Sequence, residues 1–111
     1  MISMEIEPER QAESKQTIAG LGLSDCVEFI LGDAATVLPS IEEVSFVLVD
    51  CEKEDYMRFF DMLRLSAGDV VVADNILSHD LSDYVRHVRG IPGVDSLTLP
   101  IGHGLEVTRF L

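Results

Sequence analysis

Short apolar stretches alternate along the chain with polar segments whose apolar residues recur at helical spacing. Ile2 to Ile6 is mostly apolar and predicts a strand. The next segment is opened by Pro8 and Glu9 and predicts a helix that Gly20 and Gly22 help to stop. The residues expected on the apolar side of this helix are Ala12, Ile18, Ala19 and Leu21.

The same order of strand and helix repeats in the next segment. Val27 to Leu31 predicts a strand, and Gly32-Asp33 predicts the turn that follows it. Ala34 to Leu38 predicts a short helix, which ends before Pro39 because proline disfavours a helical residue in front of it. The pattern therefore contains a second strand–helix unit.

Two further units follow. Phe46 to Asp50 is a continuous apolar run, typical of a strand buried on both faces of a parallel sheet. Val70 to Ala73 predicts the next strand, which ends in Asp74-Asn75, and Leu81 to Val88 predicts a helix. The helix between these strands is indicated by the spacing of Tyr56, Phe59, Phe60, Leu63 and Leu65.

The pattern changes near the end of the chain. Val94 to Leu99 and Leu105 to Leu111 alternate around a glycine-containing turn and predict an antiparallel pair at one edge of the sheet. Four strand–helix units followed by a hairpin predict an α/β fold, with a Rossmann-like open, mostly parallel sheet and helices on both faces. With no linker or low-complexity tract, residues 1–111 are expected to form a single domain.

Composition restricts the classes of partner. Apolar residues make up 47% of the 111 residues and charged residues 25%, which is typical of a folded globular chain. The formal net charge is −12, from 8 basic and 20 acidic residues, so we expect nucleic acid to be repelled. No apolar stretch approaches the roughly 20 residues that a membrane helix needs, so we expect no membrane association.

The spacing of the cysteines and of His79 and His103 matches no redox or metal-binding motif. Cys26 and Cys51 show no CxxC spacing, so we expect buried, reduced thiols and a cytoplasmic location. His79 and His103 have no second histidine or cysteine at metal-ligand spacing, so each is expected to be a surface loop residue.

Acidic residues stand at the carboxyl ends of four successive predicted strands: Glu5, Asp33, Asp50 and Asp74. Ligands bind outside the carboxyl ends of the strands in open α/β sheets, so these positions are candidates for a site. The alternative is that these acids only cap the helices that follow, a role that aspartate often has.

Five segments in this order carry a resemblance to a known family: MEIEP, LGDAATVLP, FVLVDCEKEDY, VVVADNIL and LPIGHGLEVTR. They resemble the class I S-adenosylmethionine-dependent O-methyltransferases of the caffeoyl-CoA and catechol type. The resemblance implies that Glu5 holds the ribose hydroxyls of S-adenosylmethionine and that Asp33 and Ala34 contact its adenine. The resemblance also implies that Asp50 contacts S-adenosylmethionine.

The resemblance also implies a divalent cation, Mg²⁺ or similar, held by Asp50, Asp74 and Asn75. Two carboxylates and one amide oxygen suit such a hard cation. Lys53 matches the lysine that takes the proton from the acceptor hydroxyl. Tyr56 matches an aromatic that packs its helix on the sheet, and it is left outside the site.

Purely structural roles remain as alternatives for these residues. Asp50 and Asp74 can be helix caps with no metal. Lys53 can be a surface lysine paired with Glu54 or Asp55, which is a common fate for lysine.

One part of the family pattern is not matched. The family's first strand and its glycine-rich loop are expected before Ile2, so the resemblance implies an N-terminally truncated enzyme that lacks the usual first strand–helix unit. Gly20-Leu21-Gly22 follows a predicted helix and is interpreted as a helix stop. The truncation would leave an apolar strand with an unpaired edge, which promotes aggregation unless another chain covers it. We therefore expect a homodimer.

These features predict an S-adenosylmethionine-dependent, cation-assisted O-methyltransferase, or its C-terminal part, that acts on a hydroxyl of a small molecule. A first alternative is an inactive remnant that serves as a homodimeric binding module, because the segments VDCEKEDY and LPIGHGLEV also resemble plant proteins that have drifted from catalysis. A second alternative is a tRNA-modifying methyltransferase, which the charge of −12 disfavours.

Overall fold

The computed structural model describes residues 1–111, which divide into two compact units, Met1–Ser40 and Ile41–Leu111. Each unit has its own sheet. The first contains β1 (Ile2–Glu5), α1 (Pro8–Gly20), β2 (Glu28–Leu31) and α2 (Ala34–Val37), with 3₁₀ turns at Ser24–Cys26 and Leu38–Ser40.

The sheet of the first unit is a parallel pair. Ile2 lies opposite Glu28 and Glu5 opposite Leu31, so both strands end at the same edge. The predicted helix stop is confirmed: Gly22 adopts φ +71° and its amide donates to the carbonyl of Ala19. Glycine suits this left-handed conformation because it has no Cβ.

The predicted apolar side of α1 is wrong. The residue that α1 buries is Gln11, which is 7% exposed, whereas Ala12 and Ala19 are exposed and Ile18 is half-buried. Leu21, just beyond the helix, is 65% exposed. Alanine side chains are small and give a weak directional signal, so the four predicted positions did not fix which side of the helix is buried.

The second unit contains the larger sheet. Its strands run in the order β3-β4-β6-β5, with β3 and β4 parallel and the other neighbours antiparallel. The predicted hairpin and the two predicted helices are confirmed. The elements are β3 (Phe46–Val49), α3 (Tyr56–Met62), β4 (Val70–Ala73), α4 (Ser82–Arg89), β5 (Val94–Leu99) and β6 (Leu105–Phe110), with a 3₁₀ turn at Lys53–Asp55.

The core of this unit lies on one face of the larger sheet. Alternate residues of each strand point to this face, where α3 and α4 pack against them. Phe60 of α3 and Tyr84 of α4 meet edge to face, with ring centroids 5.9 Å apart. The buried residues of the core are Val49, Tyr56, Phe60, Val71, Ala73, Ile76, Leu81, Tyr84 and Val88.

The opposite face of the same sheet carries apolar side chains that are largely exposed. Phe46 is 62% exposed, Leu48 61% and Leu97 53%. The expectation that the Phe46–Asp50 strand is buried on both faces is therefore wrong. Its physical reason is the alternation of the strand: Val47 and Val49 point to the core, while Phe46 and Leu48 point away from α3 and α4.

The predicted fold class is confirmed, with parallel strand–helix units and a C-terminal antiparallel hairpin. The strands form two sheets instead of one, the larger sheet is mixed, and α3 and α4 cover one of its faces instead of both. The single domain stays a prediction. No helix is both long enough and apolar enough to cross a membrane.

The cysteines correct a further expectation. Both are free, but Cys26 is exposed and Cys51 only half-buried, so neither is the buried thiol that was predicted. Burial and then the negative charges of Asp55 and Asp50 raise the pKa of the Cys51 thiol to about 12, so this thiol stays protonated at neutral pH.

Candidate functional site

The carboxyl ends of β3 and β4 place two of the predicted residues side by side. Val49 and Ala73 are partners in the parallel register, and Asp50 and Asp74 are the next residues along each strand. The backbone amide of Asp74 donates to the carbonyl of Val49 at 3.0 Å, so the pairing continues to the end of the strands. Parallel pairing is therefore what brings these two carboxylates to one edge.

Asn75 completes the group. Its backbone adopts φ +64°, the left-handed conformation, and its amide nitrogen donates to Asp74 Oδ1 at 2.7 Å. Its side-chain Nδ2 donates to Asp50 Oδ1 at 2.9 Å. The three residues predicted as metal ligands are thus joined by direct hydrogen bonds.

The chemistry of this group fits a hard divalent cation. Its donors are carboxylate and amide oxygens, which Mg²⁺ prefers, and Mg²⁺ usually keeps several waters beside a few protein ligands. A half-turn of the Asn75 amide would present its oxygen instead of its nitrogen to Asp50. No group of three or more histidine, cysteine, aspartate or glutamate side chains that could hold a metal occurs in the chain. A cation here would therefore depend on two carboxylates and one amide.

Tyr56 contacts this group from the core side. Its hydroxyl donates to the carbonyl oxygen of Asp74 at 2.9 Å, and the residue is only 2% exposed. Burial is the main cause that raises the pKa of Tyr56, and the negative charges of Asp50 and Asp74 raise it further. Tyr56 was expected only to pack α3 on the sheet, because sequence gives no sign of a hydrogen bond across 18 residues.

Lys53 lies in the 3₁₀ turn between β3 and α3 and is exposed. The surface pairing with Asp55 is not formed, because Asp55 instead binds Arg58 at 2.7 Å. Hydrogen bonds from Ser82 lower the pKa of Asp80, and the positive charge of Lys53 lowers it further. The ammonium group of Lys53 takes part in none of the ion pairs of the chain.

The loop after Asn75 is held by the β5–β6 turn. The amide of Ile76 donates to the carbonyl of Gly104 at 3.1 Å, and the amide of Leu77 donates to that of His103 at 2.8 Å. Gly104 is buried at φ +87°, and a Cβ built on it would collide with the Leu77 side chain. Sequence reasoning did not identify this close approach.

His79 and His103 are exposed loop residues, as predicted.

Glu106 is a second residue that sequence reasoning missed. It points into the core face of β6 and is 0% exposed. Its carboxylate accepts hydrogen bonds from Arg89 Nε at 2.9 Å, Ser96 Oγ at 2.6 Å and Thr98 Oγ1 at 2.5 Å. The signal available in the sequence was a charged residue at an inward position of an alternating strand, which requires a partner.

In the first unit, Glu5 and Asp33 lie at the carboxyl ends of β1 and β2. Glu5 is half-buried, and its carbonyl accepts from the amide of Gly32 at 2.9 Å. Asp33 Oδ1 accepts from the amide of Ala35 at 2.9 Å and caps α2, whose first residue is Ala34. Asp33 therefore does act as a helix cap, and the cofactor roles of Glu5, Asp33, Ala34 and Asp50 stay predictions.

The chain has a Rossmann-like α/β fold of the kind found in solved methyltransferase structures. Solved structures share the fold: the SAH-bound methyltransferase PaMTH1 of Podospora anserina has a TM-score of 0.87 and 21% identity, covering 99% of this chain and 60% of its own. The O-methyltransferase TomG of Streptomyces achromogenes, solved with SAM, has a TM-score of 0.85 and 20% identity, covering 98% and 60%.

The family follows from the sequence match. Residues 1–109 match the model of the O-methyltransferase family, and the chain belongs to that family. The catechol O-methyltransferase of Sus scrofa is 26% identical over 100 residues, which cover 81% of this chain and 54% of that relative. The chain thus spans about half the length of this curated relative.

Proposed function

We propose that this chain takes part in the transfer of a methyl group from S-adenosylmethionine to a hydroxyl of a small molecule, with the assistance of Mg²⁺ or a similar divalent cation. The observation that carries the proposal is the group formed by Asp50, Asp74 and Asn75 at the ends of two neighbouring parallel strands. Membership of the O-methyltransferase family and the similarity to the catechol O-methyltransferase of Sus scrofa support it.

Asp50, Asp74 and Asn75 would hold the cation. Asp74 Oδ1 is engaged by the Asn75 amide, which leaves its second oxygen free, and Asp50 likewise has one carboxylate oxygen outside its hydrogen bond with Asn75. When bound, a divalent cation next to the acceptor oxygen lowers the pKa of the hydroxyl and orients it. The contribution of the chain is to fix these oxygens on the ends of rigid strands.

Glu5, Asp33 and Ala34 would hold the methyl donor, with Asp50 as a further cofactor contact. The two carboxylate oxygens of Glu5 can accept from two neighbouring ribose hydroxyls, because each oxygen has free lone pairs. Asp33 retains one oxygen beside the one that caps α2. When bound, S-adenosylmethionine would supply an electrophilic methyl group; TomG was solved in complex with SAM.

Lys53 would take the proton of the acceptor hydroxyl on its Nζ atom. The side chain is exposed and makes no ion pair, so it is free to turn towards a bound substrate. A general base must reach the proton within hydrogen-bond distance and be neutral when it accepts it. The short turn that carries Lys53 begins three residues after Asp50, which keeps the base close to the candidate cation ligands.

Asp50→Asn is expected to weaken Mg²⁺ binding by about tenfold or more, because it removes a charge from the ligand set. The substituted amide still offers an oxygen to Asn75 Nδ2, so the local hydrogen bond is kept. The measurement is a calorimetric titration of the full chain with MgCl₂.

The matched control is Asp83→Asn, which removes the same charge from an α4 side chain that is 81% exposed and paired only with Arg86. This control should bind Mg²⁺ as the unchanged chain does. Equal affinities for the Asp50 and Asp83 variants, or no Mg²⁺ binding by the unchanged chain, would contradict the proposal.

A further inference from the structure

We infer that Tyr56 is a positioning residue for the Asp74–Asn75 turn, and that its hydroxyl keeps this turn in the conformation that the candidate cation site requires. The inference rests on the proposed function, since the turn supplies two of the three candidate ligands. Tyr56 does not itself offer an atom to the cation. It acts through the backbone of Asp74.

The peptide group between Asp74 and Asn75 is held at both of its polar ends. Its carbonyl accepts from the Tyr56 hydroxyl at 2.9 Å, and its N–H donates to Asp74 Oδ1 at 2.7 Å. A planar peptide group that is fixed at its oxygen and at its hydrogen cannot rotate freely. The two bonds together therefore set the direction of the Asp74 carboxylate and the orientation of the peptide plane from which the Asn75 backbone turns.

The conformation that they hold is one that the chain would not adopt without support. Asn75 is the single non-glycine residue of the chain with a positive φ, at +64°. Asparagine tolerates this region better than most residues, yet it remains sparsely populated and persists only where the surroundings determine it. In this conformation the Asn75 side chain reaches Asp50 at 2.9 Å, so loss of the conformation separates the ligands.

Tyr56 is suited to fix the turn because it is itself immobile. It is 2% exposed and packs edge to face on Tyr84, with ring centroids 5.8 Å apart and an interplanar angle of 82°. Tyr56 also begins α3, so its backbone is set by the helix. The hydroxyl therefore presents a fixed donor to Asp74.

Tyr84 provides a natural comparison within the same core. It is equally buried, at 2% exposure, and its ring packs edge to face on Tyr56 and on Phe60, but its hydroxyl has no hydrogen-bond partner. Both rings are held in the same core, and the two hydroxyls differ in that only that of Tyr56 makes a hydrogen bond. Removal of one oxygen atom from each ring therefore separates a positioning role from a packing role.

The test compares Tyr56→Phe with Tyr84→Phe in two measurements. One is the Mg²⁺ dissociation constant by calorimetry, and the other is the hydrogen-exchange rate of the Asn75 amide by NMR without any cation. Tyr56→Phe is expected to raise the dissociation constant about fivefold and to speed Asn75 exchange by a similar factor, because one buried hydrogen bond is lost. Tyr84→Phe is expected to change neither value.

The outcomes separate this inference from the proposed function. If the unchanged chain does not bind Mg²⁺, the proposed function fails, while faster Asn75 exchange in Tyr56→Phe still supports the positioning role. If Tyr56→Phe matches Tyr84→Phe in both measurements, the inference is overturned whatever the unchanged chain binds.

A second variant covers the case in which Tyr56→Phe does not fold. Incorporation of 3-fluorotyrosine at position 56 keeps the ring and the hydroxyl and makes the hydroxyl a stronger donor. It is expected to slow Asn75 exchange, whereas the same substitution at position 84 leaves the rate unchanged. An unchanged Asn75 rate with 3-fluorotyrosine at position 56 overturns the inference.

Discussion

Glu106→Ala is expected to lower the free energy of unfolding by about 3 kcal/mol, since it leaves the hydrogen-bond donors around a buried carboxylate without their acceptor, including the half-exposed Arg89. Glu106 is 0% exposed and accepts hydrogen bonds from Arg89, Ser96 and Thr98. These donors lie on α4 and β5, so the carboxylate of β6 ties three elements together. The measurement is urea unfolding followed by circular dichroism.

The matched control for Glu106 is Asp95→Ala. Asp95 lies on the neighbouring strand and pairs with Arg109, but both side chains are more than half exposed, at 65% and 59%. An exposed pair of this kind contributes little, so the control should change stability by less than about 1 kcal/mol. Equal losses from the two variants would show that burial of Glu106 does not matter.

The same carboxylate predicts a dependence of stability on pH. Burial alone would raise the pKa of Glu106, but hydrogen bonds from Arg89, Ser96 and Thr98 outweigh burial and lower it. A pKa that is lower in the folded than in the unfolded chain gives stability that is present above the unfolded value and is lost as the pH falls through the folded value. Glu106→Gln should remove this part of the acid-induced loss.

Gly104→Ala is expected to destabilise the chain by about 3 kcal/mol, from two causes that add. The residue has φ +87°, which strains any residue with a Cβ, and the new methyl group would collide with the side chain of Leu77. The collision is not limited to a flexible tip, because Leu77 Cβ itself lies 3.0 Å from the added atom. Thermal unfolding measures the loss.

Gly68→Ala separates the two causes. Gly68 has a similar φ of +94°, but nothing lies within 4 Å of an added Cβ, so only backbone strain of about 1 to 2 kcal/mol is expected. Addition of Leu77→Ala to Gly104→Ala should recover most of the difference between the two glycine variants, because it removes Leu77 Cγ and Cδ1 and leaves only the Leu77 Cβ contact at 3.0 Å. If Gly104→Ala is no worse than Gly68→Ala, the close packing of the loop after Asn75 against the hairpin turn is contradicted.

The order of strands and helices could be predicted because it depends on local periodicity. The α4 spacing and the alternation of the hairpin are repeated signals within one element, and both match the structure. The buried side of α1 could not be predicted in the same way. Gln11 became the buried residue there, and this depends on what the helix packs against and not on the helix itself.

The same distinction applies to the candidate site: some of its residues could be placed from the sequence and others could not. Asp50 and Asp74 could be placed together in advance, because neighbouring parallel strands end at one edge of a sheet. Tyr56 and Glu106 could not, since their hydrogen bonds join elements that are distant in sequence and depend on how α3 and α4 pack. The exposed Phe46 and Leu48 were also unpredictable, because an apolar run does not reveal whether one or both faces of its strand are covered.

Calorimetric titration of the full chain with S-adenosylmethionine, at saturating Mg²⁺, tests the central claim most directly. Saturable binding at one site is predicted, and Glu5→Gln should weaken it about tenfold because charge-assisted hydrogen bonds to the ribose are lost. Glu28→Gln, at the opposite end of the same strand pair, should leave the affinity unchanged. No heat of binding, with or without Mg²⁺, would contradict the account.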